Sequence, residues 1–394
     1  MRRAYVVGTF DTKGAELHYV AGRLRAAGVA TCSVDLSTRP HSIETDVQAA
    51  EVARHGPPPA ADGRGAAIEA MMLAFERFVP TRKDVAGMIA AGGSGNTALV
   101  APGMRALPVG LPKLIVSTIA SGNTAPYVAG SDIGMFPSIT DVQGLNAISR
   151  RILGNAAHAL AGMITSYQEV AETAGKRVVG LTMFGVTTAC VQRISALLEA
   201  EYDPVIFHAV GTGGRAMESL VDAGLLTGVV DATTTEICDM LMGGVFPADE
   251  TRFDAIIRTR VPYVVSVGAL DMVNFGAPDT VPERYHGRLL YRHNPQITLM
   301  RTTPEENARM AEWIAAKLNR MEGEVRLLIP EGGVSAIDAP GQPFHDPAAD
   351  QALFETLSRQ VRQTPKRQVQ RLPYAMNDAA FAEALASAFR AVAA

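Results

Sequence analysis

This 394-residue chain is poor in the features that usually announce a chemistry. Its three cysteines, Cys32, Cys190 and Cys238, are odd in number and lack CxxC spacing. That argues against a disulfide framework or a zinc knuckle and makes a reducing cytoplasm the expected compartment. The eight histidines include no HxxxH or HExxH pair, so a zinc site gains little support. There is no GxSxG elbow, and no GxxxxGK loop followed by Ser or Thr. A net charge of −4 and a pI near 6.1 give no electrostatic reason to expect nucleic acid or a membrane surface as partner. No apolar run approaches the ~18 residues of a membrane span. The opening MRRAYVVGTFDTKG turns polar too early for a signal peptide.

What the chain has is alternation. Apolar strand-like runs take turns with segments of helical period almost throughout, the pattern of a parallel α/β protein. The length suits two domains, and the reading is two doubly wound Rossmann-like domains, 1–176 and 177–394, with mostly parallel sheets. In the first unit, strand AYVVGTF leads through a DTKG loop into a helix that Gly28 closes. Residues 39–65, rich in Pro, Gly and short polar residues, read as a long surface loop. A long amphipathic helix is expected over 144–174, its apolar face including Leu145, Ile152, Leu160, Tyr167 and Val170. In the second half the periodicity places a terminal helix after Asn377, with that residue as its N-cap.

The pentapeptide SGNTA occurs twice, at Ser94–Ala98 and Ser121–Ala125, each time after a strand-like run. In open parallel sheets ligands bind outside the carboxyl ends of the strands, where helix amino ends present unpaired N–H groups and partial positive charge. Glycine lets the backbone approach an anion, and Ser, Asn and Thr add neutral hydrogen bonds. The pair therefore suggests a shared cradle for a phosphate chain or a carboxylate. The match of GSGNTA to the dinucleotide pattern is weak, because no acid ends the following strand. On the first strand's loop, Lys13 is a candidate phosphate partner and Asp11 a candidate Mg²⁺ ligand. Asp35 stands where an acid can take ribose hydroxyls.

The stretches AAGGSGNTALV, LPKLIVSTIASGNTAPYVAGSDIGMFPSITDVQGLN and RHNPQITLMRTTPEEN resemble a family of bacterial, archaeal, fungal and plant proteins. That family includes the tomato inhibitor of tomato mosaic virus RNA replication. The similarity runs from VGTFDTKGAEL to LPYAMNDAAFA. It implies Rossmann-like domains, bound ATP with Mg²⁺, and a homodimer or higher homo-oligomer. Carried over by motif, the nucleotide contacts are Thr9, Asp11, Thr12, Lys13, Gly92, Gly93, Ser94, Gly95, Asn96, Thr97, Ser117, Thr118, Ala120, Ser121, Gly122, Asn123 and Thr124. Inhibition of a plant virus is not implied for this chain.

The second half gathers further polar residues at strand ends. Gly211, Gly213 and Gly214 beside Arg215 form another candidate anion cradle. Thr233 or Thr234 is a candidate N-cap, with Glu236 complementing the helix start. Thr303, Pro304 and Glu306 read as a capping box. His208 and His293 are the candidate general acid/base groups, because histidine titrates near neutrality. Arg301 is the candidate clamp for a substrate carboxylate or phosphate. Glu331 or Asp271 would orient a histidine or hold a metal. The leading expectation is an ATP·Mg²⁺ protein acting on a small anionic metabolite between its domains. The alternatives are a nucleotide-dependent regulatory module without turnover, and a hydrolase or lyase of a small carboxylate that does not use ATP.

Overall fold

The apolar runs of the first half become five parallel strands, with helices laid on both faces. A computed structural model describes residues 2–60, 63–166 and 175–393. Two units are distinguished, Met1–Thr173 and Ala174–Ala394. The first unit runs β1 (Arg3–Gly8), α1 (Phe10–Ala26), β2 (Thr31–Asp35), α2 (Ala49–Ala53), α3 (Arg64–Phe78) and β3 (Val85–Gly92). It continues with α4 (Ser94–Arg105), β4 (Lys113–Ser117), α5 (Ala125–Val128), β5 (Gly134–Pro137) and α6 (Ala147–Ser166). The sheet order is β2-β1-β3-β4-β5, every pair parallel.

Period-two alternation decides what each face buries. On β1, Tyr5 and Val7 point to one core with Phe75, Phe78, Val100 and Met104, whereas Ala4 and Val6 point to another with Leu17, Leu24, Leu153 and Leu160. The strand order reverses direction between β1 and β3, which makes their carboxyl tips the switch point of the sheet.

Three local expectations change in this unit. The DTKG segment is the first turn of α1 rather than a loop, with Lys13 departing from helical geometry at φ −126°. Residues 39–65 are not a plain loop: they hold α2, and α3 begins at Arg64. The long helix starts at Ala147, and Tyr167 and Val170, assigned to its face, lie outside the described residues. Gly28 does close α1, at φ +82°.

The second unit runs β6 (Arg177–Met183), α7 (Thr188–Leu198), β7 (Tyr202–His208), α8 (Thr212–Asp222), β8 (Gly228–Thr233), α9 (Glu236–Met242), α10 (Asp254–Thr259) and β9 (Tyr263–Gly268). Then come β10 (Met272–Phe275), β11 (Leu290–Asn294), β12 (Ile297–Arg301), α11 (Pro304–Leu318), β13 (Val325–Pro330), α12 (Pro347–Gln360), β14 (Arg367–Leu372) and α13 (Ala379–Ala393). The main sheet, β14-β13-β9-β8-β6-β7, is parallel and doubly wound. A small antiparallel sheet, β10-β12-β11, is inserted after β9. Thr303 and Glu306 form the expected capping box at α11. Asn377 is not the cap of α13. Its side chain accepts from the Cys190 N–H at 3.2 Å and donates to the Val186 carbonyl at 2.9 Å, pinning the start of α7 instead.

Candidate functional site

The switch point of the first unit is assembled from three strand tips. The first SGNTA is the opening turn of α4, with Gly93 as N-cap and no side chain capping the helix. Ser94 and Gly95 are exposed and no side chain caps this turn, whereas the Thr97 N–H donates to the Gly93 carbonyl at 3.0 Å. Asn96 tucks back between β1 and β3. A Cβ at Gly8 would sit 3.2 Å from its Oδ1, and a Cβ at Gly92 would sit 2.7 Å from its own Cβ. Glycine at 92 is therefore a packing requirement of Asn96, whereas at Gly8 the nearest atom is Leu17 Cδ1, at 3.0 Å. Its Nδ2 donates to the Ala91 carbonyl at 3.2 Å, whereas its Oδ1 is buried with no protein donor. Thr97 hydrogen-bonds Ser117 at 2.7 Å, joining α4 to the tip of β4, where Thr118 is exposed.

The second SGNTA is used differently. It forms a turn after β4 and leads into α5, which is four residues long. Asn123 Oδ1 accepts from the Ala125 N–H at 3.2 Å, the Gly122 N–H donates to Ile119, and Thr124 is the N-cap of α5. The Ala120 N–H is spent on Ser117, and Ser121 is exposed. This copy mostly serves its own turn.

The start of α1 is closed where that of α4 is open. The Phe10 N–H donates to Asp35 Oδ1 at 3.2 Å, and the Asp11 N–H donates to Ser37 Oγ at 3.0 Å. Asp35, 1% exposed, also accepts from the Ser37 N–H and hydroxyl and lies 2.9 Å from His41 Nε2. Both its oxygens are engaged inside the protein, which corrects its placement on a ribose. His41, which the sequence reading missed, accepts the Ile43 N–H on Nδ1, so its proton sits on Nε2 toward Asp35. Lys13 Nζ donates to the Val142 carbonyl, an internal engagement for the expected phosphate partner. Thr9 and Thr12 bond one another at 2.8 Å. Asp11 Oδ1 is a buried oxygen without a protein partner.

In the second unit the polar residues are absorbed into two buried networks. The Gly211 and Gly214 N–H groups both donate to Glu236 Oε1, at 2.7 and 3.0 Å. The expected anion cradle is thus filled by the chain's own carboxylate. Arg252 binds that same Glu236 at 3.0 Å, Asp231 at 2.7 Å and Glu218 at 3.0 Å. Burial opposes the Arg252 charge, yet Asp231, Glu236 and Glu218 outweigh it and hold its pKa well above the ordinary value. Burial raises the Glu218 pKa, against the pull of Arg252. Neither Thr233 nor Thr234 is the cap of α9, a position held by Thr235. Thr233 bonds Thr187, and Thr234 donates to the Ser266 carbonyl.

The second network corrects the placing of Arg301 as a substrate clamp. The residue is 4% exposed, and its guanidinium is divided among Asp338 at 3.0 Å, Asp350 at 2.7 Å and the Phe344 carbonyl at 2.7 Å. Asp271 lies in the same buried environment, accepts from Ser335 Oγ at 2.8 Å, and is pushed up to about 6 by burial, with Arg301 opposing. Burial, together with Asp271 and Asp350, also raises Asp338. The remaining candidates lie apart in their bonding. His208 is exposed at the end of β7 and stacks on Phe184. His293 is exposed on β11, and Glu331 pairs with Arg371 at 2.6 Å. Among the described residues no group of three or more His, Cys, Asp or Glu side chains is placed to hold a metal.

Comparison with known proteins covers both units. Residues 2–169 match the model for the amino-terminal domain, and residues 176–393 that for the carboxyl-terminal domain, of the uncharacterised protein family UPF0261. A UPF0261 protein of Rhizobium meliloti is 57% identical over 398 residues, covering 100% of both chains. One from Clostridium tetani is 42% identical over 396 residues, covering 98% of this chain and 97% of its own. The tomato (Solanum lycopersicum) ToMV resistance protein Tm-1(GCR237) is 42% identical over 416 residues, which is 98% of this chain but 55% of the tomato protein.

Proposed function

The chain belongs to the UPF0261 family, and on that footing we propose that its first unit binds ATP with Mg²⁺ at the carboxyl edge of its parallel sheet. The observation that carries this reading is the open amino end of α4 at the switch point, with the buried, unpartnered Asn96 Oδ1 beside it. The N–H groups of Ser94 and Gly95 and the partial positive charge of the helix start suit a phosphate chain. Asn96 Oδ1 asks for a donor, which a hydroxyl or a water on the ligand supplies.

The residues present fit Mg²⁺ in a limited way. Asp11 Oδ1, buried and without a protein partner, is a suitable oxygen. One carboxylate with phosphates and water is the usual manner of holding this ion, and when bound it would neutralise phosphate charge. Between turnover and a regulatory use of the nucleotide, the second unit favours the latter. Its candidate clamp, Arg301, is committed to internal carboxylates, and His208 and His293 stand on different sheets.

The test is calorimetric titration of ATP with Mg²⁺ against the wild type and Ser94→Asp. Aspartate is well tolerated in a first helical turn, so the fold is retained while a negative charge enters the anion site. The expected result is a loss of at least ~10-fold in affinity, the equivalent of one adverse interaction of about 1.4 kcal/mol. Equal affinities would remove α4 from the site. Release of phosphate from ATP at rates of ordinary turnover would favour the enzyme reading over the regulatory one.

A further inference from the structure

Between β13 and α12 the chain runs through residues 331–346 without helix or strand. This segment is a strap over the carboxyl tips of the second unit's main sheet. The Ala269 N–H, just past β9, donates to the Val334 carbonyl at 2.9 Å, and the Ala336 N–H donates to the carbonyl of Val186, shortly past β6, at 2.9 Å. Phe344, fully buried, packs with Val186, Ala269, Met272 and Leu299. The strap thus closes the edge at which open parallel sheets admit ligands.

Its polar ties converge on one cation. Arg301 of β12 gives Nη2 both to Asp338 of the strap, at 3.0 Å, and to Asp350 of α12, at 2.7 Å, while its Nε donates to the Phe344 carbonyl at 2.7 Å. Asp338 also bonds Asp350, a contact that two carboxyl groups make only with a proton between them. Ser335 Oγ donates to Asp271 Oδ2 at 2.8 Å, and Asp271 Oδ1 is buried with no protein donor. None of the three acids is more than 5% exposed. The surroundings add no positive charge to match them. Asp346, the N-cap of α12, brings a further negative charge to Asp350. Glu306 of α11 is paired with Arg288 at 2.7 Å, burial keeps the Cys238 thiol of α9 neutral, and exposed His345 meets Asp338 only at its carbonyl, at 3.0 Å.

We propose that residues 331–346 are a proton-held latch, closed while this acid cluster keeps its protons and lifting from the carboxyl edge of the second sheet as they are lost. One guanidinium balances one buried carboxylate, and each further ionisation adds a like charge that has no water to solvate it. Burial lifts Asp271 to about 6, and burial with Asp271 and Asp350 lifts Asp338 to about 9, so the protons leave across that interval. The opening is local, because the strap has no strand ladder and its buried apolar anchors are Val334 and Phe344. Lifting uncovers an apolar floor of Val186, Ala269, Met272 and Leu299 beside the Asp271 carboxylate.

Hydrogen exchange read by mass spectrometry, corrected for the intrinsic pH dependence of exchange, tests the latch on the whole chain, with β13 as the internal reference. The expected result is a loss of about tenfold or more in the protection of 331–346 between about pH 6 and 9, the equivalent of one pKa unit, with a smaller change in β13. Asp271→Asn still accepts from Ser335 and carries no charge, so it is expected to flatten the part of that dependence near pH 6. Should it melt early, Asp350→Asn replaces it, since its amide oxygen still accepts from Arg301. Strap protection that is independent of pH, or that falls in step with β13, overturns the latch, and the wild-type series decides this without any variant. A folded Asp271→Asn or Asp350→Asn with the wild-type dependence overturns it as well.

Discussion

Arg252 shows what a single side chain does in this protein. Its guanidinium is 4% exposed as a residue and touches three carboxylates, one of which also fills the amino end of α8. Removing one partner of a buried ionic network costs about 3–5 kcal/mol, because the charges left behind lose their compensation without regaining water. Arg252→Met is therefore expected to destabilise the protein by at least about 3 kcal/mol, although methionine is apolar and of similar reach. Chemical denaturation measures it; a loss below about 1 kcal/mol would mean the acids are compensated in another way. Arg301 belongs to the same class. Its partners stand 37 and 49 residues along the chain, so nothing near it in the sequence distinguishes a buried tie from a substrate clamp.

At the scale of elements, helix starts divide into open and occupied ones. At α8, a Cβ on Gly214 would lie 2.1 Å from Glu236 Oε2 and 2.8 Å from Arg252 Nε. Gly214→Ala is expected to lower stability by about 1–3 kcal/mol through overpacking, despite the gain of up to ~1 kcal/mol that alanine brings to a helix. Gly162→Ala, in α6 with no neighbour within 4 Å, should stabilise instead; thermal unfolding of the pair separates crowding from propensity. Elements of this kind were largely legible in the sequence. The β–α alternation gave the sheets, and the Thr303–Glu306 cap is written within four residues, so local reading finds it. The first SGNTA was legible for the same reason, since glycine and small polar residues after a strand specify a turn into a helix. Misreadings fell where a distant partner decided the outcome. Asn377 looks like a cap but serves α7, 187 residues away in the chain, and the glycines at 211–214 look like a ligand cradle but hold Glu236.

For the molecule as a whole, the buried acids set the dependence of stability on pH. Burial lifts Asp239 to about 7, against the Asn274 and Phe246 N–H bonds, and lifts Asp271 to about 6. Asp338 and Asp350 move the same way. In the unfolded chain these groups release their protons near pH 4. Because Asp338 is lifted furthest, to about 9, the native state holds more protons than the unfolded one between about pH 4 and 9, and stability falls as pH rises. Asp46, Asp84, Asp249 and Glu306 are shifted downward, so their contribution is lost only below that window. Denaturation midpoints are expected to be highest on the acid side of neutrality and to decline toward pH 7 and beyond. A midpoint rising over that interval would show that the buried acids ionise at their ordinary values.

Glu236 is a permanent lodger at the start of α8, whereas no side chain caps the start of α4 in the first unit. A phosphate arriving at α8 would have to evict a side chain that also neutralises Arg252, so admission there means dismantling part of the interior. The two sheets share a winding plan, yet the second carries a counter-charge permanently on board at α8, and no side chain caps α4 in the first.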